Sequence, residues 1–186
     1  PQAYRRGGDG LEIRWSLVDT ALGQALVAVT ERGVCAVLLG DDAQALAADL
    51  QAEFPRATLQ RVDAGRDDFL APRVRAVADA LAQGQGSVPV ELVGTAFQQR
   101  VWEALMRIPA GETRSYAELA DSLGMPRGAR AVARACAGNR VAVLVPCHRV
   151  IRGDGSLGGY RWGLPRKQAL LDSETRHAPP ARRRQA

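Results

Sequence analysis

The sequence has 186 residues, 46% of them hydrophobic, and a formal net charge of +5. That length supports a real core in one larger domain or two small ones, and the composition excludes a wholly disordered chain. No apolar run approaches the roughly 18 residues a membrane helix needs, and Pro1-Gln2-Ala3-Tyr4-Arg5-Arg6 has no apolar signal core, so the expected compartment is the cytoplasm.

In chain order, Leu11, Ile13, Trp15 and Leu17 alternate with Glu12, Arg14 and Ser16, which predicts a half-buried strand. The short apolar runs Ala25 to Thr30 and Val34 to Leu39, parted by Glu31-Arg32-Gly33, extend it into a hairpin meander. The period then changes. Asp41 or Asp42 caps a predicted helix with Leu46, Leu50 and Phe54 on one face, and Pro55 stops it. A second helix carries Phe69, Val74, Val77 and Leu81 and ends at Gly84-Gln85-Gly86-Ser87, before a short strand from Val88 to Val93. This half reads as a small mixed α/β scaffold with no chemical constellation of its own.

From Thr95 the pattern is helical. Thr95 and Gln98 form a capping box ahead of the stripe Phe97, Val101, Ala104, Leu105 and Ile108, and Pro109-Ala110-Gly111 ends that helix. Ser115 and Glu118 form a second capping box, starting a short helix that stops at Gly124-Met125-Pro126. A third helix runs from about Arg127 to Ala137, so two short helices flank a tight turn, as in a helix-turn-helix.

Charge is uneven across these halves. Up to residue 93 there are 9 Arg and 13 acidic residues; from residue 94 there are 16 Lys plus Arg against 7 acids, a balance of −4 followed by +9. The basic half is the candidate for phosphate contacts, or the excess reflects only a preference for arginine. The third helix is dominated by small side chains, with Arg130 and Arg134 one turn apart. It is either a thin helix able to approach a nucleic-acid groove or an alanine-rich core helix.

Three widely spaced cysteines, Cys35, Cys136 and Cys147, and two histidines, His148 and His177, argue against a metal site. Cys147 follows the apolar run Val141 to Val145, where a buried strand or extended segment ends. Beside His148 and Arg149 its thiol could be held partly as thiolate, the nucleophilic form; alternatively it is an inert core thiol whose neighbours face the other way. Gly153-Asp154-Gly155-Ser156-Leu157-Gly158 matches a dinucleotide-site string, but no amphipathic helix starts within it, and that reading is rejected. The Pro- and Arg-rich end, residues 177–186, reads as a basic disordered tail.

Together, Gly94 to Trp102, Gly111 to Tyr116, Ala129 to Val132, Asn139 and Pro146-Cys147-His148-Arg149-Val150 resemble the O6-alkylguanine-DNA alkyltransferase family, with the C-terminal part of Ada-type adaptive-response proteins as the nearest likeness. The resemblance implies an α/β fold: a ribonuclease H-like subdomain over 1–90, then a mainly helical domain over 94–176 with a winged helix-turn-helix. It implies single-use transfer of an alkyl group from O6-alkylguanine, and from O4-alkylthymine, to Cys147. His148 would activate the thiol through a water, Glu174 would orient the imidazole, and Tyr116 would donate a proton. Arg130 would fill the space of the flipped base, with Ser115, Ala129, Ala131 and Ala137 along the DNA. Asn139, Val150, Tyr160, Arg161 and Trp162 would surround the base.

The partner is then double-stranded DNA containing O6-alkylguanine, with no cofactor, no metal, no membrane and a monomeric protein. Ada-type proteins carry an upstream sensor region, which would explain a start at Pro1 instead of Met. Arg161-Trp162 stands where many members of the family have small residues, which predicts a pocket favouring methyl over bulky adducts. Two other readings compete: a thiol hydrolase built on Cys147, His148 and Glu174, and a DNA-binding regulator that performs no chemistry.

Overall fold

The computed structural model describes residues 7–83 and 88–177. Alternation of Ile13 and Trp15 with Glu12 and Arg14 gives β1 (Glu12–Thr20), which pairs antiparallel with β2 (Gly23–Thr30), itself antiparallel to β3 (Gly33–Gly40). β2 and β3 are apolar along almost their whole length because they are covered on both faces, the condition that suppresses alternation. Asp42 caps α1 (Ala43–Glu53) by accepting from Ala45 N (2.7 Å), and Leu46 and Leu50 turn inward from it. α1 leads to β4 (Thr58–Arg61), which lies parallel to β1, so the mixed sheet has the order β3-β2-β1-β4.

α2 (Ala71–Gln83) packs against β1 and β2 and meets the last helix, α6 (Leu164–His177). Between them come α3 (Ala96–Met106), β5 (Arg114–Ser115), α4 (Tyr116–Ser122), α5 (Ala129–Ala137) and β6 (Val150–Ile151), which pairs parallel with β5. Both capping boxes form as the sequence predicts, on Thr95 with Gln98 and on Ser115 with Glu118. α4 and α5 pack on each other across a turn through Gly124, whose φ of +74° is the left-handed conformation glycine adopts without strain. α3 supports α5 through Trp102, whose indole Nε1 donates to Ala135 O (2.9 Å).

Several expectations need correction. Val88–Val93 is not a strand: Pro89 has no amide to donate, and the segment makes only an isolated bridge, Val34 to Val90, along the edge of β3. Gly33, at φ +144°, allows that crossing, since a Cβ there would lie 2.5 Å from Pro89 O. Val141–Val145 is not extended either. It bridges β3 once, Val37 to Val141, and then turns tightly, with Val143 at φ +62°. α2 starts two residues after Phe69, whose amide donates to Asp67 (3.0 Å), and α5 starts at Ala129. His177 still belongs to α6, its Nδ1 2.8 Å from Ser173 O, so the expected tail would start no earlier than residue 178. Residues 178–186, like the predicted turn at 84–87, lie outside the described residues.

Candidate active site

The residues singled out around Cys147 converge. The tight turn at Val141–Val145 and Pro146 deliver Cys147, His148 and Arg149 as one turn of 3-10 helix, so adjacent side chains diverge by about a third of a turn and do not alternate as on a strand. Asn139 braces that turn. Its Nδ2 donates to Val145 O (2.9 Å) and to Cys147 Sγ (3.2 Å), while its Oδ1 accepts from Val141 N (2.8 Å). An apolar residue here would strand three groups inside the protein, since Asn139 is 1% exposed.

Glu174 of α6 is the second brace. His148 Nε2 donates to its Oε1 (2.6 Å), Arg149 donates from Nε (3.1 Å to each oxygen) and Nη2 (2.8 Å), and Gly111 N donates to Oε2 (3.2 Å). Burial pushes the Glu174 carboxyl up, but hydrogen bonds from His148 and Arg149 outweigh it and hold the pKa at about 2. A carboxylate only accepts, so the His148 proton resides on Nε2 and Nδ1 carries the lone pair. Nδ1 is buried and has no hydrogen-bond partner among the described residues.

The sequence reading placed Arg149 beside the thiol as a possible source of thiolate character. It is turned away, toward Glu174 and the Ile108 carbonyl (2.5 Å). Burial pushes the Cys147 thiol up, against smaller opposing effects of the Asn139 hydrogen bond, Lys167 and Arg161. The resting group is therefore a thiol. Burial likewise holds His148 below its usual range, against the pull of Glu174, so the pair rests neutral.

Glu174 and His148 together make a prediction for stability. With a folded pKa near 2 against an ordinary 4.5, Glu174 contributes stability above about pH 4.5 that is lost as pH falls toward 2. His148 is held below its ordinary 6.5, so the unfolded chain takes up that proton first and acidification below 6.5 also favours unfolding. Melting temperatures are expected to fall below about pH 6.5 and more steeply below about 4.5; a rise through that window would contradict these assignments.

In front of Cys147 lies a cavity of about 280 Å³, lined by Tyr116, Ala133, Cys136, Ala137, Cys147, Gly159, Tyr160 and Arg161. Burial, with the neighbouring Cys136 and Cys147, pushes the Tyr116 hydroxyl up to about 12, so it remains a proton donor at neutral pH. Gly158, at φ +70°, lets the following loop close on Tyr116, since a Cβ there would lie 3.2 Å from its hydroxyl. Asn139, Val150 and Trp162 are not among these lining residues. Trp162 meets the ring of the lining residue Tyr160 edge-on, centroids 5.3 Å apart.

α5 forms one side of the cavity and also the protein surface. Val132, Ala135 and Cys136 face the core, Arg130, Arg134 and Ala137 are exposed, and Ala129 and Ala131 are half-buried between them. Ser115 spends its hydroxyl on the cap of α4.

Sequence reasoning missed Lys167. Its side chain is fully buried, and Nζ donates to the carbonyls of Val150 (2.5 Å), Leu157 (2.5 Å) and Gly159 (3.3 Å), clamping the loop before Tyr160 to the strand after Cys147. The available signal was the spacing Lys167, Leu170 and Glu174 on one helical face. Cys35 lies in β3, and burial pushes its thiol up to about 12, which makes it inert.

Residues 96–176 match the model of the 6-O-methylguanine DNA methyltransferase DNA-binding domain. The chain is 50% identical over 173 residues to the bifunctional transcriptional activator/DNA repair enzyme Ada of Escherichia coli, covering 92% of this chain and 48% of that one. It thus spans about half the length of that relative. A methylated-DNA–protein-cysteine methyltransferase of Lodderomyces elongisporus is 35% identical, with 86% of this chain and 91% of the relative covered. The crystal structure of Mycobacterium tuberculosis OGT in complex with DNA has the same fold, with a TM-score of 0.71 and 34% identity over 90% of this chain and 96% of that one. With a relative matched over nearly its whole length at that identity, the chain belongs to the methylated-DNA–protein-cysteine methyltransferase family.

Proposed function

We propose that this chain repairs duplex DNA by moving a methyl or other small alkyl group from guanine O6, and from thymine O4, onto Cys147. The observation that carries the reading is the double role of α5: one helix walls the cavity in front of the Cys147 thiol and exposes Arg130 and Arg134 on its outer side. A reactive thiol directly behind a basic, small-residue helix suits a substrate that must be turned out of a duplex before it can react. Names of the relatives agree, since they act on methylated DNA or are solved with DNA.

In this reading α4 and α5 are a winged helix-turn-helix lying in the minor groove, with Ala129, Ala131 and Ala137 allowing close approach and Arg130 replacing the extruded base. A ribonuclease H-like subdomain precedes residues 94–176, which carry the chemistry. The flipped base enters between Tyr160, Arg161 and α5. Cys147 passes its proton through a water to His148 Nδ1, the lone-pair nitrogen fixed by Glu174, and the sulfur attacks the alkyl carbon in line with the C–O bond. The S–C bond forms, the C–O pair leaves with the base, and Tyr116 supplies the proton that makes guanine a stable leaving group. A thioether has no base to cleave it, so each monomer reacts once and needs no cofactor.

The test is intact mass after mixing with a duplex containing O6-methylguanine. The protein is expected to gain the mass of one methyl in exchange for one hydrogen, localised to Cys147; repaired DNA beside unmodified Cys147 would sink the reading. Tyr116→Phe is expected to slow single-turnover transfer by about 100-fold, the lower range for a lost general acid. Rapid-quench rates within about threefold of the parent would remove Tyr116 from that role.

A further inference from the structure

Glu53 ties the first half of the chain to the wall of the cavity. It is the last residue of α1, and its two oxygens are divided: Oε1 accepts from Arg161 Nη2, and Oε2 lies 3.4 Å from Arg140 Nε. Arg161 is itself a lining residue, and its Nη1 also donates to Asn139 O (3.2 Å), on the residue that braces Cys147. Arg140 is held over the ring of Phe54, 5.4 Å from its centroid. The side chains of Glu53 and Arg161 are 20% and 28% exposed, so this pair is shielded from solvent on most sides. An arginine has a long, flexible stem, and only such anchors at its end keep it as a fixed wall instead of a mobile one.

We propose that Glu53 is a positioning residue that sets the largest alkyl group the cavity admits, by holding Arg161 against it as a rigid side. This rests on the alkyl-transfer reading of the cavity. Glu53 is not itself a lining residue; its action passes through Arg161. Without Glu53 the guanidinium keeps only its 3.2 Å bond to Asn139 O among these anchors and can swing toward water, and the volume it occupied becomes available to a bulkier group. A methyl group already fits, so methyl transfer depends little on the tether.

The experiment measures single-turnover rates with O6-methylguanine and O6-benzylguanine duplexes, together with melting temperatures, for the parent chain, Glu53→Ala, Glu53→Gln, Arg161→Ala and the double variant Glu53→Ala/Arg161→Ala. Glu53→Ala is expected to raise the benzyl-to-methyl rate ratio about tenfold, with the methyl rate within about threefold of the parent, and Glu53→Gln to raise the ratio by a smaller factor. In the double variant the ratio is expected to match Arg161→Ala alone, because the two residues act as one unit. An unchanged ratio in Glu53→Ala, or a full additional factor in the double variant, overturns the proposal. A lowered melting temperature with an unchanged ratio also overturns it, leaving Glu53 a structural tie only. Should Glu53→Ala fail to fold, the Gln variant decides by the same ratio. A parent chain that takes neither alkyl group would refute the alkyl-transfer reading itself, a result distinguishable from an unmoved ratio.

Discussion

Replacing Cys147 by alanine is expected to abolish alkyl uptake while the protein still binds duplex DNA within about threefold of the parent affinity. Cys136 also lines the cavity, but it lies on α5, whereas Cys147 shares its 3-10 turn with His148, the base of the proposed reaction. Removing one buried sulfur costs roughly 1 kcal/mol of packing and releases one hydrogen bond from Asn139, whose contacts to Val145 and Val141 remain. In the proposed reading, binding relies on the outer face of α5, which the substitution does not touch. Mass spectrometry and a salt-controlled binding assay on the same preparation separate the readings. A thiol hydrolase would turn over a thioester and lose that activity in the variant; a regulator without chemistry would show no mass gain even in the parent. Methyl uptake by the alanine variant would overturn the assignment of the acceptor.

Glu174→Ala is expected to cost roughly 3–5 kcal/mol, because it leaves the Arg149 guanidinium in a buried site without its carboxylate. For a domain of this size that lowers the melting temperature by on the order of 10 °C. The Gly111 amide and His148 Nε2 lose their acceptor at the same time. The double variant Arg149→Met/Glu174→Met discriminates between structural and chemical roles. Apolar replacement of a buried ion pair is often close to neutral, so much of the stability is expected to return. Alkyl transfer is not, since nothing then fixes the proton on His148 Nε2. Recovery of both would show that Glu174 serves the fold alone.

Local chemistry was legible in the sequence, and long-range pairing was not. The capping boxes at Thr95 and Ser115 and the helix end at Gly124 depend on residues a few positions apart, so pattern suffices, whereas α3 stops at Met106, before the expected Pro109-Ala110-Gly111. The parallel contact of β4 with β1 leaves no such trace, because Thr58–Arg61 is mostly exposed and polar. Val141–Val145 misled for the opposite reason: five apolar residues fit a strand, a helix or a buried turn equally well. At the site, Cys147, His148 and Tyr116 could be named through the family resemblance, whereas residues alone left Cys147 undecided between a nucleophile and a core thiol. Lys167 escaped because lysine reads as surface, and only the three carbonyls brought together by the fold make a fully buried ammonium tolerable.

The carboxylate of Glu174 also sets an order of events during synthesis. It gathers groups from positions 111, 148 and 149, and none of these can adopt its final arrangement while α6 is still inside the ribosome. A chain made only as far as the Cys147 turn has its thiol but neither a fixed imidazole nor the neutralised arginine. In the proposed reading, the reactivity of Cys147 therefore arrives late, with the docking of the last helix, and a nascent chain is spared from spending that thiol on stray electrophiles.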